Sequence, residues 1–149
     1  MTRINLVPPS ELSRLHLIAE YRELPRIFGL ADKAMKRGEK PDDKRNPQAY
    51  TLGSGHCRFF YPRLRFLQIR QYQLIREMLT RGMNPLFTDV PGPETFGHDH
   101  VWWKNYEPTP EALALNRARI LERTPHAARI PTARVPDAWR REAAGVDHP

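Results

Sequence analysis

Residues 11–38 read ELSRLHLIAEYRELPRIFGLADKAMKRG, and the spacing of their apolar side chains decides the fold class. Wound at about 100° per residue, Leu17, Tyr21, Leu24 and Phe28 share one arc, the pattern of a helix with one face against a core. Ser10 is an N-cap type followed by Glu11, and Gly38 is a stop signal, so a first helix is expected from Ser10 to Arg37 with a kink at Pro25. A second is expected to open at Pro62 and end at Gly82, with Asn84 and Pro85 beyond it. A third takes Thr109 as N-cap and Pro110 as its first residue, and runs to about Arg123 before Pro125. Only CRFFY at 57–61 alternates like a short strand. The expected fold is therefore all-α, a compact single domain of three main helices with long loops over residues 1–125. A Pro/Arg-rich tail at 126–149, partly ordered and with a short helix around Trp139, is expected to follow.

The loops are marked by composition. GEKPDDKRNPQAYTLGSGH at 38–56 is rich in Pro, Asp, Asn and Gly, and residues 83–107 read similarly. The 149 residues suit one domain, and there is no internal repeat. Lys and Arg number 24 against 17 Asp and Glu, and this net charge of +7 is typical of chains that meet polyanions, without separating DNA from RNA or a membrane surface. Cys57 is the only cysteine, which excludes an intramolecular disulfide and a thiolate zinc cluster. The start lacks the apolar core of a secretory signal, and no stretch approaches the ~20 apolar residues of a membrane span. A cytoplasmic monomer with no membrane partner is expected.

A different arc of the first helix carries His16, Ala19, Glu23 and Arg26, with Arg22 beside Glu23, so a carboxylate sits among cations. By itself this fits an exposed charged face with intrahelical ion pairs as well as it fits a site. On the second helix the apolar arc holds Leu64, Leu67, Leu74, Ile75, Met78 and Leu79, bordered by Arg63, Arg70 and Arg81 on one side and Arg65 and Arg76 on the other. Residues 58–82 contain six Arg and one Glu, an excess of five positive charges suited either to phosphate or to a solubilising edge. On the third helix Asn116, Arg119 and Arg123 fall together, facing away from Leu113, Ala114, Ala118 and Leu121. GSGH at 53–56 reads either as a phosphate-binding turn or as a plain one, and the loop triplet His98, Asp99 and His100 lacks a distant ligand set, so no metal or nucleotide cofactor is expected.

The opening MTRINL, EYRELPRIFG at 20–29, LGSGHCRFFYPRLRFL at 52–67 and RQYQLIREMLTRGMN at 70–84 together resemble the phage-type endonuclease V family of pyrimidine-dimer glycosylases. The likeness resumes more weakly in YEPTPEALALNRARILER at 106–123. It implies an all-α, metal-independent enzyme acting on duplex DNA that carries cyclobutane pyrimidine dimers or abasic sites. It also implies that Thr2, exposed by removal of Met1, is the nucleophile and that Glu23 is the catalytic carboxylate. The DNA-binding residues it implies are Arg3, His16, Arg22, Arg26, Arg119 and Arg123. The family's Tyr-rich C-terminus is absent here, and Trp102, Trp103 and Tyr106 are the aromatic residues offered in its place.

The chemistry suits these residue types. A lyase needs an unprotonated amine near C1′ of the sugar, and an α-amino group with a reference pKa of about 7.7 to 8.0 is roughly one-eighth neutral at pH 7. Neighbouring cations push it further toward the neutral form. Glu23 would stabilise positive charge growing at C1′ and then take the C2′ proton. The rival readings are a noncatalytic basic DNA-binding protein and a glycosylase for a different lesion.

Overall fold

The structure, a computed structural model, describes residues 3–96 and 100–123. The described elements are a 3-10 turn at Pro9–Glu11, α1 at Arg14–Glu23, α2 at Pro25–Lys36, α3 at His56–Phe59, α4 at Leu64–Thr80, α5 at Pro93–Phe96, a 3-10 turn at His100–Trp102 and α6 at Pro110–Arg123. Among the described residues there is no strand, only an isolated bridge between Arg63 and Trp103.

The first predicted helix is divided. The N-cap is Ser13, whose hydroxyl accepts from the His16 backbone N–H at 3.2 Å, while Ser10 lies in the preceding 3-10 turn. Pro25 breaks the rod as expected, because proline has no N–H to give the carbonyl four residues back. That carbonyl belongs to Tyr21, and it accepts instead from the Gln71 side chain of α4 at 3.1 Å. Leu24 keeps helical angles, so α1 and α2 form one kinked rod whose Leu17, Tyr21, Leu24 and Phe28 are all buried.

The second helix begins at Leu64, after Arg63 rather than at Pro62, and CRFFY is helix and turn instead of strand. Phe59 and Phe60 then stack edge to face at 5.0 Å and fill the core, which an alternating strand face would not allow both to do. Gly82 at φ +81 ends α4 with paired bonds, Gly82 N–H to Leu79 at 3.0 Å and Met83 N–H to Met78 at 2.9 Å. Leu79 does not join the apolar arc and is 55% exposed.

Most of the arginine excess of this region is structural. Arg81 is buried and donates to Glu77, Pro9 and Leu12, and Arg63 donates to the Phe59 carbonyl and lies over its ring. Arg58 pairs with Glu39, and Arg70 pairs with Glu20; Arg65 and Arg76 are exposed. A planar fork with five donors serves several buried carbonyls at once, so four of the six hold the fold together rather than a nucleic acid.

The third helix has the predicted cap, with Ala112 N–H bonded to Thr109 Oγ1 at 3.1 Å, but the opposite orientation. Ala112, Asn116 and Ile120 face inward, while Ala114, Ala118 and Leu121 are exposed. Burying Asn116 is tolerable because its amide is hydrogen-bonded on both sides. Trp102 and Trp103 are core residues, and Tyr106 packs edge to face on Phe59 and Phe66, so these rings hold the fold rather than a lesion. The tail at 126–149, and with it the short helix expected around Trp139, lies outside the described residues.

One pair ties the layers together. Arg70 of α4 grips Glu20 of α1 with two bonds, at 2.7 and 3.0 Å, and both side chains are at most 2% exposed. Removing one partner leaves a buried charge uncompensated. Arg70→Ala is therefore expected to cost about 3–5 kcal/mol and lower the melting temperature by roughly 6–20 °C, read by thermal denaturation. A loss below about 1 kcal/mol, the range of exposed pairs, would reject this role.

Candidate active site

The segment from Arg3 to Val7 has no regular secondary structure, bends at Val7 and, past Arg3, is wholly buried. Five side chains from four parts of the chain bind it. Tyr50 donates its hydroxyl to the Ile4 carbonyl at 2.9 Å, and His56 Nε2 accepts the Ile4 N–H at 2.8 Å. The other ring nitrogen of His56, Nδ1, is 2.8 Å from the Thr51 carbonyl. A carbonyl only accepts, so Nδ1 carries the proton and the ring is neutral. Asn116 receives the N–H groups of Leu6 and Val7 at 2.7 and 3.1 Å, Arg70 donates to the Val7 carbonyl at 2.5 Å, and Glu20 takes the Asn5 amide at 2.9 Å.

This anchoring leaves Arg3 at the mouth of a cavity of about 380 Å³ lined by Arg3, Asn5, His16, Ala19, Glu20, Glu23 and Arg123. The structure thus gathers Arg3, His16, Glu23 and Arg123 from the two ends of the described chain. Arg119 does not line the cavity and pairs with Glu122 at 3.4 Å, but with Arg123 it acts on Arg3, whose guanidinium is pulled below its ordinary value by burial first and then by these two neighbours. Arg26 reaches the same carboxylate from α2, with Nη1 2.9 Å from Glu23 Oε2. Arg22 is exposed on α1 and does not line the cavity. Thr2 lies outside the described residues, as do His98 and Asp99.

Glu20 and Asn5 are lining residues that the arc of His16, Ala19 and Glu23 failed to single out. Helical winding places Glu20 about 40° from His16, so its place on that face could have been read; the involvement of Asn5 depends on contacts remote in sequence.

The cavity contrasts two kinds of carboxylate. Glu20 is neutralised by Arg70, whereas the Glu23–Arg26 pair has side chains 36% and 61% exposed. His16 is held below its ordinary value, by burial and then by Arg3; it bonds the Arg123 backbone, and its Nδ1 is buried without a partner. A cavity with cations in excess and a polar nitrogen unengaged suits an anionic or polyhydroxylated ligand. Cys57 is half-buried, and burial pushes its thiol up, which leaves it a poor nucleophile at neutral pH. The GSGH stretch forms a plain turn that delivers His56 to the core.

In comparison with known families, the model described as pyrimidine dimer DNA glycosylase matches residues 1–88. That span includes Arg3, His16, Glu20, Glu23 and Arg26 and stops short of α6.

Two histidines, His56 buried and His16 half-buried, make stability depend on pH. Burial, with Arg3 and Arg119 behind it, lowers His56 from its usual 6.5, and His16 is lowered likewise. Between the lowered values and 6.5 the unfolded chain binds more protons than the folded one, so stability is complete above that window and falls as pH drops through it. The melting temperature should decline from pH 7 to 5. His56→Gln, which retains an acceptor without titrating, should flatten the slope; an unchanged slope would show that His56 does not contribute.

Proposed function

The chain belongs to the family of pyrimidine dimer DNA glycosylases, and from that premise we propose a bifunctional reaction in which the amine of Thr2, exposed when Met1 is removed, forms an imine with the damaged sugar and then nicks the strand. The observation that supports it is the meeting of Arg3 and Glu23 in one cavity. Thr2 directly precedes Arg3 in the chain, and the proposal is that its amine works at the cavity that Arg3 and Glu23 line.

The steps balance without a cofactor. The neutral amine attacks C1′, the glycosidic bond breaks, and the base departs with the electron pair and takes up a proton. The sugar ring opens as nitrogen loses its second proton, giving the imine. Glu23 stabilises the positive charge at C1′ and then removes a C2′ proton. The electrons of that C–H bond expel the 3′ phosphate oxygen, breaking the strand, and water later hydrolyses the imine to free the amine.

The cations have two tasks. Arg3, Arg119 and Arg123, with Arg22 and Arg26 on the flank, hold phosphates by charge-assisted bonds, and like-charge repulsion keeps the nearby amine neutral. His16, with Nδ1 unengaged, serves the sugar or a phosphate. The Glu23–Arg26 pair is exposed enough that a phosphate can draw Arg26 away at little cost, leaving the carboxylate facing the sugar. The substrates are duplex DNA with pyrimidine dimers and duplex DNA with abasic sites, the latter entering after base release. The protein acts as a monomer.

Borohydride trapping on an abasic duplex tests the nucleophile: the adduct peptide should map to the Thr2 amine, and an adduct on an internal lysine such as Lys33 or Lys36 would overturn the mechanism. Glu23→Gln should lower nicking of irradiated plasmid by about 10²-fold or more while DNA affinity is kept. Equal nicking of irradiated and untreated plasmid, or binding without nicking, would point instead to another lesion or to a noncatalytic binder.

A further inference from the structure

Beyond the residues lining the cavity, α6 supplies one side chain that reaches no solvent. Asn116 is 0% exposed, and its amide makes three bonds to the N-terminal segment. Its oxygen accepts from Leu6 and Val7, at 2.7 and 3.1 Å, and its nitrogen donates to Asn5 Oδ1 at 2.8 Å. Asn5 in turn donates to Glu20 Oε1 at 2.9 Å. Glu20 stands one helical turn before Glu23, and two bonds from Arg70 hold it in place.

The chain of bonds Asn116–Asn5–Glu20 therefore joins the two halves of the cavity, the N-terminal segment and the α1 face that bears Glu23. Apolar packing alone would not fix their relative register. Ile4, Leu6 and Val7 are all buried, and a slip that moves Val7 into the place of Leu6 and Pro8 into that of Val7 loses apolar packing only at Ile4, whose place Asn5 takes, while it moves Arg3 away from the cavity. A buried amide that must satisfy two successive backbone N–H groups admits one register, because any other leaves donors unpaired.

We propose that Asn116, acting through Asn5, is a positioning residue for the strand-nicking reaction: it sets the distance between the chain end and Glu23 without touching DNA. This rests on the reading that the chain end carries the nucleophile. Asn116 lies outside the matched residues 1–88, so the family likeness does not assign it this role.

The test uses the full chain and three variants. Asn116→Leu removes all three bonds, Asn116→Asp keeps the acceptor for Leu6 and Val7 but loses the donor to Asn5, and Ile75→Ala in α4 destabilises the core without touching the network. Single-turnover nicking of an abasic duplex is compared with affinity for a duplex carrying an uncleavable tetrahydrofuran site, well below each melting temperature. A positioning role predicts nicking and borohydride trapping roughly 10- to 100-fold slower in both Asn116 variants, affinity within about twofold, and a normal rate in Ile75→Ala. Wild-type nicking in Asn116→Asp, which keeps the backbone bonds and carries the test if Asn116→Leu does not fold, would overturn the proposal. So would an equal slowing in Ile75→Ala, which makes the effect one of stability. An adduct away from the chain end in the unmodified protein would remove the underlying reading itself; adducts at the chain end with unaffected variants would remove only the positioning.

Discussion

At the centre of the molecule a carboxylate and a guanidinium, Glu20 and Arg70, face each other out of reach of water. Their desolvation is costly, and the arrangement survives because each nitrogen and oxygen of the two groups has a partner: Asn5 supplies a further donor to the carboxylate, and the Val7 carbonyl takes a further guanidinium N–H. The pair thereby fixes α1 against α4 and both against the N-terminal segment. With Glu20 locked inward, the helix has no freedom to rotate, and Glu23, one turn on, is committed to the cavity rim. The partially exposed Glu23–Arg26 pair is the energetic opposite. An ion pair of that kind contributes at most about 1 kcal/mol, so a phosphate can exchange into it without disturbing the fold. Two glutamates three residues apart on one helix thus separate into a structural and an exchangeable group by environment alone.

Local signals in the sequence were read well. Pro25, Gly82, Thr109 and Pro110 act as punctuation because their effects are local, a missing N–H, a positive φ or a capping hydroxyl. The apolar arc of Leu17, Tyr21, Leu24 and Phe28 was legible for the same reason, a period fixed by helix geometry. Periodicity alone does not single out Arg3, His16, Glu23 and Arg123, which line one cavity; the family likeness does.

Long-range polar contacts were hidden. Arg70 and Arg81 look like a basic edge because their sequence neighbours are basic, yet both are buried against carbonyls up to 72 residues away in sequence. Asn116 inverted the expected orientation of α6: a polar residue reads as outward unless its partners are known, and these are 109 to 111 residues away. The short run CRFFY misled for a related reason, since a few apolar residues do not distinguish a buried helix turn from a strand.

The division of the arginines bears on the proposed chemistry. Net charge treats them alike, but Arg58, Arg63, Arg70 and Arg81 are engaged with carboxylates or carbonyls inside the fold, while Arg3 and Arg123 line the cavity and Arg119, paired with the exposed Glu122, acts on Arg3 from beside it. Two of those three come from α6, on the far side of the chain from the segment they face. An amine beside Arg3 would therefore feel a positive field largely created by a helix more than a hundred residues away, and Asn116 anchors that same helix to the segment. On this reading, the third helix acts on the reaction twice, mechanically through one amide and electrostatically through two guanidinium groups one and two turns further along.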